Sequence, residues 1–348
     1  MKIAIATVQV PFVRGGAEIH AEMLRDELRK RDYNAEITSF PFKWYPYKSL
    51  MESILMGRML DLSSSNGEKI DMVIAMKFPA YLTPHDNKVM WLLHQYRQAY
   101  DLWGTEYGDI DKWPNGEQVR KIIYDVDKKY IPEAKKIYTN ANCTAFRLKN
   151  YCNIDATPLY HPPLNSDKFY AGDYKDYVFY PSRINEIKRQ RLLVEAMKYV
   201  KSDVTAVIAG GAEEQELKYI KNLIKDNKLE NKVKLAGFIS EQEKLDYYAN
   251  ALAIYFGAYN EDYGYISLEA MYSEKPVIVH KDSGGPPEFV EDNVNGYVID
   301  NDPKEIAKKI DYLYDHKQEA KKMGQSGKRS LIEKNINWDH VIDALVNY

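Results

Sequence analysis

Glu261 and Glu269 frame the stretch Glu261-Asp262-Tyr263-Gly264-Tyr265-Ile266-Ser267-Leu268-Glu269-Ala270-Met271. An apolar run of strand length precedes it, a glycine turns it, and helical periodicity follows. A helix opening presents unpaired backbone N–H groups and the positive end of a dipole, which together hold a phosphate without a metal. The amides of Tyr265, Ile266 and Ser267 are the candidates for that task. Glu269 falls one turn inside the helix, where a carboxylate can accept two hydrogen bonds from adjacent hydroxyls such as a ribose 2′/3′ diol. Glu261, on the preceding loop, is placed to reach a sugar at the far end of a diphosphate. The plainer alternative is a loop acid and a solvent-facing helical glutamate with no shared task. The strand–glycine–helix setting and the basic residues described next weigh against it.

Pro181-Ser182-Arg183-Ile184-Asn185-Glu186-Ile187-Lys188 directly follows a strand candidate at 177–180. In a parallel α/β sheet the loops at the strands' carboxyl ends form the ligand crevice. There Arg183 can meet a diphosphate with a forked contact and Lys188 with a point charge. Asp109-x-Asp111, Asp125-x-Asp127 and Asp300-x-Asp302 have the spacing of metal-binding acid pairs. Acidic alternation is equally the mark of solvated turns, and none is taken as a metal site. Arg14-Gly15-Gly16-Ala17-Glu18 joins a strand to a helix, and two glycines let backbone approach a ligand where a helix begins. It lacks the G-x-G-x-x-G pattern of a nicotinamide or flavin site. Gly210-Gly211 and Gly237-Phe238-Ile239-Ser240 close two further strands, the second able to lay the backbone of Ile239 along a base edge. Asp282-Ser283-Gly284-Gly285-Pro286-Pro287-Glu288 is another strand-to-helix passage, as fit for a structural turn as for ligand contact.

The elements that must hold these residues alternate between strand and amphipathic helix, the pattern of parallel α/β layers. Strands are expected at 3–10, 35–40, 71–76, 89–93 and 136–139, with helices at 17–31, 49–62, 117–130 and 143–151. His161-Pro162-Pro163-Leu164-Asn165-Ser166-Asp167 can continue neither a helix nor a central strand. Beyond it the alternation starts afresh at 177–180, 205–209, 233–236, 252–256, 276–280 and 297–299. A chain of 348 residues is comfortable as two such units. An amphipathic helix at 338–345 follows the last strand and must bury its apolar side, which packing back across the domain junction would do.

The formal net charge of −3 gives no general attraction to nucleic acid. Two cysteines, Cys143 and Cys152, suit a reducing compartment and no zinc site. The apolar start of the chain is too short for a signal peptide or a membrane span and reads as a buried strand. A cytoplasmic protein is expected.

Taken in order, these motifs resemble the family 4 retaining glycosyltransferases over nearly the whole chain. Glu261 to Glu269 resembles their Glu-x7-Glu motif, Gly15-Gly16-Ala17-Glu18 their N-terminal glycine loop, and Arg183 with Lys188 their phosphate-binding pair. Gly237-Phe238-Ile239-Ser240, Ser283-Gly284-Gly285-Pro286-Pro287-Glu288 and the Trp338 helix fall in register with them. The resemblance implies the GT-B fold, two Rossmann-like α/β domains with parallel sheets facing a central cleft. Residues 1–165 would form the acceptor-side domain, with helix 336–348 packing back on it, and 166–335 the nucleotide-sugar donor domain. It implies retaining transfer of a hexose-type sugar from a nucleotide diphosphate sugar, UDP ahead of GDP, to a glycan or lipid-linked acceptor. Attack would be front-face, the leaving phosphate helping to deprotonate the acceptor, with no metal or other cofactor. Glu261, His94, Arg183 and Lys188 carry over as catalytic. Gly15, Gly16, Arg183, Lys188, Gly211, Ile239, Tyr265, Ile266, Ser267 and Glu269 carry over as donor contacts.

Two positions depart from the family pattern. Gln95 stands after His94 where the family often has aspartate, and Asp262 where it usually has glycine. Tyr100, Trp103, Tyr107 and Trp113 suit an acceptor wall or ordinary packing. The segment 45–62, with Lys48 and Arg58 among apolar residues, suits peripheral contact with the inner membrane face. A nucleotide-sugar-binding module without catalysis, a GT-B sugar-nucleotide epimerase and a phosphorylase are the competing functions.

Overall fold

The computed structural model describes all 348 residues. They divide into two compact units, Met1–Leu164 with Asn337–Tyr348, and Asn165–Ile336.

The first unit contains β1 (Lys2–Gln9), β2 (Asn34–Pro41), the short hairpin β3 (Ser64–Ser65) and β4 (Glu68–Lys69), β5 (Met72–Lys77), β6 (Lys88–His94), β7 (Lys136–Thr139) and β8 (Thr157–Pro158). Its main sheet has the order β2-β1-β5-β6-β7-β8, and every neighbouring pair is parallel. Helices α1 (Gly16–Arg29), α2 (Tyr47–Met59), α3 (Gly116–Tyr130) and α4 (Asn142–Cys152) belong to the same unit. Successive strand residues point to opposite faces, and both faces are covered. Ile3 and Ile5, Met72, Ile74 and Met76, and Val89 and Trp91 enter one apolar cluster. Ala4, Ala6 and Val8, Val73 and Ala75, and Met90 and Leu92 enter the other. Burial on both sides is why these strands read as continuous apolar runs rather than as alternating ones.

The second unit contains β9 (Tyr177–Pro181), β10 (Thr205–Ala209), β11 (Val233–Gly237), β12 (Ala253–Phe256), β13 (Val277–His280) and β14 (Gly296–Ile299). They form a parallel sheet ordered β11-β10-β9-β12-β13-β14. Its helices are α5 (Gln190–Ala196), α6 (Glu214–Asp226), α7 (Glu241–Asn250), α8 (Tyr265–Tyr272), α9 (Pro303–Asp315) and α10 (Lys317–Glu333). The chain then returns to the first unit as α11 (Trp338–Val346), whose Val341, Ile342 and Leu345 join Ile3, Ile5, Leu24 and Leu28.

Each sheet reverses its order of growth once, between β1 and β5 and between β9 and β12. Ligands of open α/β sheets bind outside the strands' carboxyl ends at such points. The loops after β9 and β12 are those that carry Arg183, Lys188 and Glu261. Element boundaries move slightly from the sequence pattern: α2 ends at Met59 rather than 62, because Leu60 takes an extended conformation. No helix is long and apolar enough to cross a membrane.

Candidate active site

The loop after β9 is fixed from beneath by the turn after β10. Ser182 N–H donates to the Ala209 carbonyl (2.8 Å) and Ile184 N–H to that of Gly211 (2.8 Å). Gly210 has φ 141°, and a Cβ there would stand 2.3 Å from the Ser182 carbonyl oxygen, so this close approach requires glycine. Arg183 is exposed, and its carbonyl accepts from Gln190 Nε2 (2.9 Å). A single 3-10 turn, Glu186–Lys188, then brings Lys188 round, with Asn185 Oδ1 accepting from the Lys188 amide (3.2 Å). The Lys188 ammonium donates to the Glu261 carboxylate, so two residues far apart in sequence form one half-buried ion pair.

The Glu261 loop is wired through its backbone to both neighbours. Tyr259 N–H donates to the Ile187 carbonyl (2.8 Å), Asn260 N–H to Asp282 (2.8 Å) and Glu261 N–H to Ser283 (2.7 Å). In return Gly285 N–H donates to the Glu261 carbonyl (2.8 Å). The Asp282–Glu288 passage, open to two readings in the sequence, is therefore the shelf on which Glu261 rests. The guanidinium of Arg189 lies in the same place, buried, and bonds the carbonyls of Gly257 (2.8 Å) and Ala258 (3.2 Å) and both oxygens of Asp282.

Gly264 opens α8 with φ 83°, and a Cβ on it would meet Pro286 Cγ at 2.6 Å. Tyr265 and Ile266 lie in the opening turn, whose N–H groups have no carbonyl four residues back within the helix. Ser267 differs from the expectation: its amide donates to the Gly264 carbonyl (3.0 Å), and its fully buried hydroxyl has no partner. Glu269 is buried one turn inside and is already held. Its Oε1 accepts from Lys244 Nζ (2.7 Å) and its Oε2 from Tyr248 OH (2.6 Å), both on α7. Burial alone would push Lys244 towards its neutral form, but the charge and hydrogen bond of Glu269 outweigh it and raise its pKa. Beside this helix, Gly237 ends β11 with φ 65°, and its carbonyl accepts from the Gly210 amide (2.8 Å). Phe238, which follows, is 90% exposed, and a side chain on Gly211 would lie 3.3 Å from its ring. Ile239 is half-buried, and Ser240 caps α7 by accepting from the Glu243 amide (3.2 Å).

In the first unit, Gly15 is the residue before α1, in an extended conformation that any residue adopts. Glycine is thus not needed there for turning, and its amide is occupied by the Glu18 carboxylate (2.8 Å). Gly16, at the start of the helix, is exposed. His94 ends β6 in register with Lys77, and its Nδ1 donates to the Gln95 carbonyl (2.6 Å), which sets the Nδ1–H tautomer of the neutral ring.

Residues 165–330 match the family of glycosyl transferases group 1. Alpha-1,3/1,6-mannosyltransferase ALG2 of Dictyostelium discoideum is 31% identical over an alignment of 310 residues that covers 77% of this chain and 73% of that protein. The chain belongs to the group 1 glycosyltransferases. Poly(ribitol-phosphate) alpha-N-acetylglucosaminyltransferase of Staphylococcus aureus strain COL is 33% identical over a shorter stretch, 44% of this chain and 31% of that one. Among solved structures, Anabaena HepE in complex with UDP and glucose is 15% identical, with a TM-score of 0.74 over 100% of both chains. The sucrose-phosphate synthase of Thermosynechococcus elongatus is 16% identical, with a TM-score of 0.78 over 98% of this chain and 96% of that one. These likenesses identify the fold as GT-B.

Within this glycosyltransferase several sequence expectations change. Tyr100 is no acceptor wall: it is buried, and with Tyr81 and Gln95 it donates to the carboxylate of Asp127. Trp113 packs against the same apolar cluster, and Trp103 carries the Arg120 guanidinium over its ring. Gln95 is spent on Asp127 and Cys152 rather than on a ligand. Arg58 is engaged by Glu133 and the Leu82 carbonyl (3.0 Å), leaving Lys48 as the more exposed cation of the two. Of the acidic pairs, Asp127 is buried and Asp302 caps α9. Motif reasoning passed over Lys244, Tyr248 and Arg189, and it named Phe238 within its turn without giving the ring a task. Only Phe238, a large aromatic in a polar turn, carried a signal that could have been read.

Proposed function

We propose that this glycosyltransferase moves a hexose-type sugar with retention from a nucleotide diphosphate sugar, UDP-linked in preference, to a glycan or lipid-linked acceptor, without a metal. The observation that carries the proposal is the Lys188–Glu261 pair at the β9–β12 switch point, beside the opening turn of α8 with Glu269 one turn inside. Each part matches one part of a donor. Glu269 has lone pairs left for the ribose hydroxyls after meeting Lys244 and Tyr248. The α8 opening and the cations of Arg183 and Lys188 face the charge that builds on the diphosphate as the anomeric C–O bond breaks. Phe238 offers a face for the base and Glu261 a carboxylate for the sugar. UDP is favoured because HepE and the Staphylococcus aureus TarM structure hold it.

In this reading the acceptor hydroxyl attacks on the face the phosphate leaves, and the departing phosphate oxygen takes its proton. The chain then contributes positioning and charge stabilisation, not a tuned general base. The test is release of nucleoside diphosphate from UDP-glucose and GDP-mannose with a panel of glycan acceptors, in EDTA. Turnover should persist in EDTA and collapse in Glu269→Ala and Lys188→Ala. Full activity in both variants removes the site assignment, and loss in EDTA removes metal independence. Conversion of the donor without acceptor would favour an epimerase.

Membrane contact through α2 belongs to the same proposal. Leu55, Met56 and Met59 are 61%, 47% and 79% exposed on one stripe of the helix, with Lys48 a turn and more earlier. Such a stripe suits an interfacial position near a lipid-linked acceptor. Flotation with phosphatidylglycerol vesicles should be lost in Met59→Asp; equal flotation of both proteins would end the idea.

A further inference from the structure

Arg189 departs from what its local sequence suggests. It looks like one member of the basic run Lys188-Arg189-Gln190-Arg191, yet its side chain is buried and its backbone is left-handed, with φ 52°. Residues with a Cβ avoid that conformation unless the surroundings over-determine it. Here they do. Nε donates to the Gly257 carbonyl (2.8 Å) and Nη2 to that of Ala258 (3.2 Å), the first residues of the Glu261 loop. Nη1 and Nη2 also fork onto Asp282 at 2.8 and 2.7 Å, and Asn301 Nδ2 holds the same carboxylate (2.7 Å). A buried guanidinium is costly unless its N–H groups are met, and this one makes four hydrogen bonds to strand-end loops.

We propose that Arg189 is a positioning residue of the transfer site, its guanidinium fastening the loops after β9, β12 and β13 so that Lys188 and Glu261 meet in one geometry. Lys188 is its chain neighbour. Gly257 and Ala258 lead into Glu261, and Asp282 leads into the Ser283-Gly284-Gly285 shelf. The left-handed backbone is what sends adjacent side chains to different tasks, the ammonium to Glu261 and the guanidinium inward. The consequence for turnover rests on the transferase reading, whereas the clamp itself does not.

The decisive variant is Arg189→Gly, because glycine accepts the left-handed backbone while the guanidinium and its loop contacts are removed. Hydrogen exchange on the full chain should show 257–263 and 282–286 opening about tenfold faster or more, with β9, β12 and β13 still protected. Guanidinium ion at tens of millimolar should restore protection to Arg189→Gly. Arg189→Lys should stay loose, since a point charge cannot span the three loops. With UDP-glucose or GDP-mannose as donor, kcat should fall about 100-fold and donor KM change little, with partial rescue by guanidinium ion. Asp282→Asn keeps the shape and weakens the fork; it should shift loop exchange and kcat in the same direction, and it decides the matter if Arg189→Gly fails to fold. Unchanged loop exchange in the soluble variants overturns the clamp. Loosened loops with native kcat overturn its role in positioning. Should the native chain release nucleotide from neither donor, the transferase reading fails, while the exchange result still stands or falls by itself.

Discussion

Glu269 has both carboxylate oxygens already in use, and that shapes what its loss should do under the proposed function. A carboxylate bonded by Lys244 and Tyr248 is held in one orientation, so in the proposed role it would be preformed for the ribose hydroxyls. Losing the equivalent of one hydrogen bond to a charged group costs about 1.5–3 kcal/mol. Glu269→Ala should therefore weaken UDP binding roughly 10- to 100-fold by calorimetry, and Tyr248→Phe less. An unchanged affinity in Glu269→Ala would remove the ribose role. Glu261, Glu269 and Lys188 could be singled out from sequence because residue type and spacing within a local strand–loop–helix passage announce each of them. Lys244, Tyr248 and Arg189 could not, since each acts on a partner more than twenty positions away. Asp127 is a second residue whose task only packing reveals. Burial pushes its pKa up to about 6, although hydrogen bonds from Tyr100, Tyr81 and Gln95 favour the charged form. A raised carboxyl stabilises the fold fully below its unfolded value near 3.8 and loses that contribution as pH climbs through about 6. Asp127→Asn escapes that loss, and Gln95 can turn its unpartnered Oε1 to meet the new amide. The variant should gain on the native protein by the order of 3 kcal/mol at most at pH 7.5, and the gain should shrink towards pH 5. Equal differences in paired melts at the two pH values would show that Asp127 is not the titrating group.

At the scale of elements, α8 depends on how it starts. Gly264 combines a left-handed φ with a site that Pro286 closes to any side chain. Gly264→Ala should cost roughly 1–3 kcal/mol from backbone strain, and more from the contact with Pro286. It should also move the opening amides, so denaturant unfolding and UDP affinity should worsen together. A variant that lost stability but bound UDP as tightly as the native chain would detach the helix opening from the phosphate. The strands of both sheets were legible because apolar runs bounded by turn residues leave few alternatives. The two-residue strands β3, β4 and β8 were not, because two residues carry no period. The turn Asp282–Glu288 was legible as a turn only. That it supports Glu261 depends on backbone bonds between loops twenty residues apart, which no local pattern encodes.

At the scale of the molecule, the chain crosses from the first unit to the second and comes back, so its last helix is a structural part of its first domain. The amphipathic pattern from Trp338 onward says that this helix must bury something; the cluster with Ile3, Ile5, Leu24 and Leu28 says what. Fully burying a side chain such as Val341, Ile342 or Leu345 contributes about 1.5–3 kcal/mol, and a whole domain is stable by only about 5–15 kcal/mol. Removing residues 337–348 should therefore unfold or nearly unfold the first unit. The second unit is continuous from Asn165 to Ile336, closes its own sheet, and contains Arg183, Lys188, Glu261 and Glu269. In the truncated chain, hydrogen exchange should show β1 and β5 losing protection while β9 and β12 keep theirs. UDP affinity should stay within a few-fold of native and sugar transfer should vanish. Protected amides in β1 would mean that α11 is dispensable to its domain. Loss of UDP binding would mean that the second unit does not carry the nucleotide site by itself.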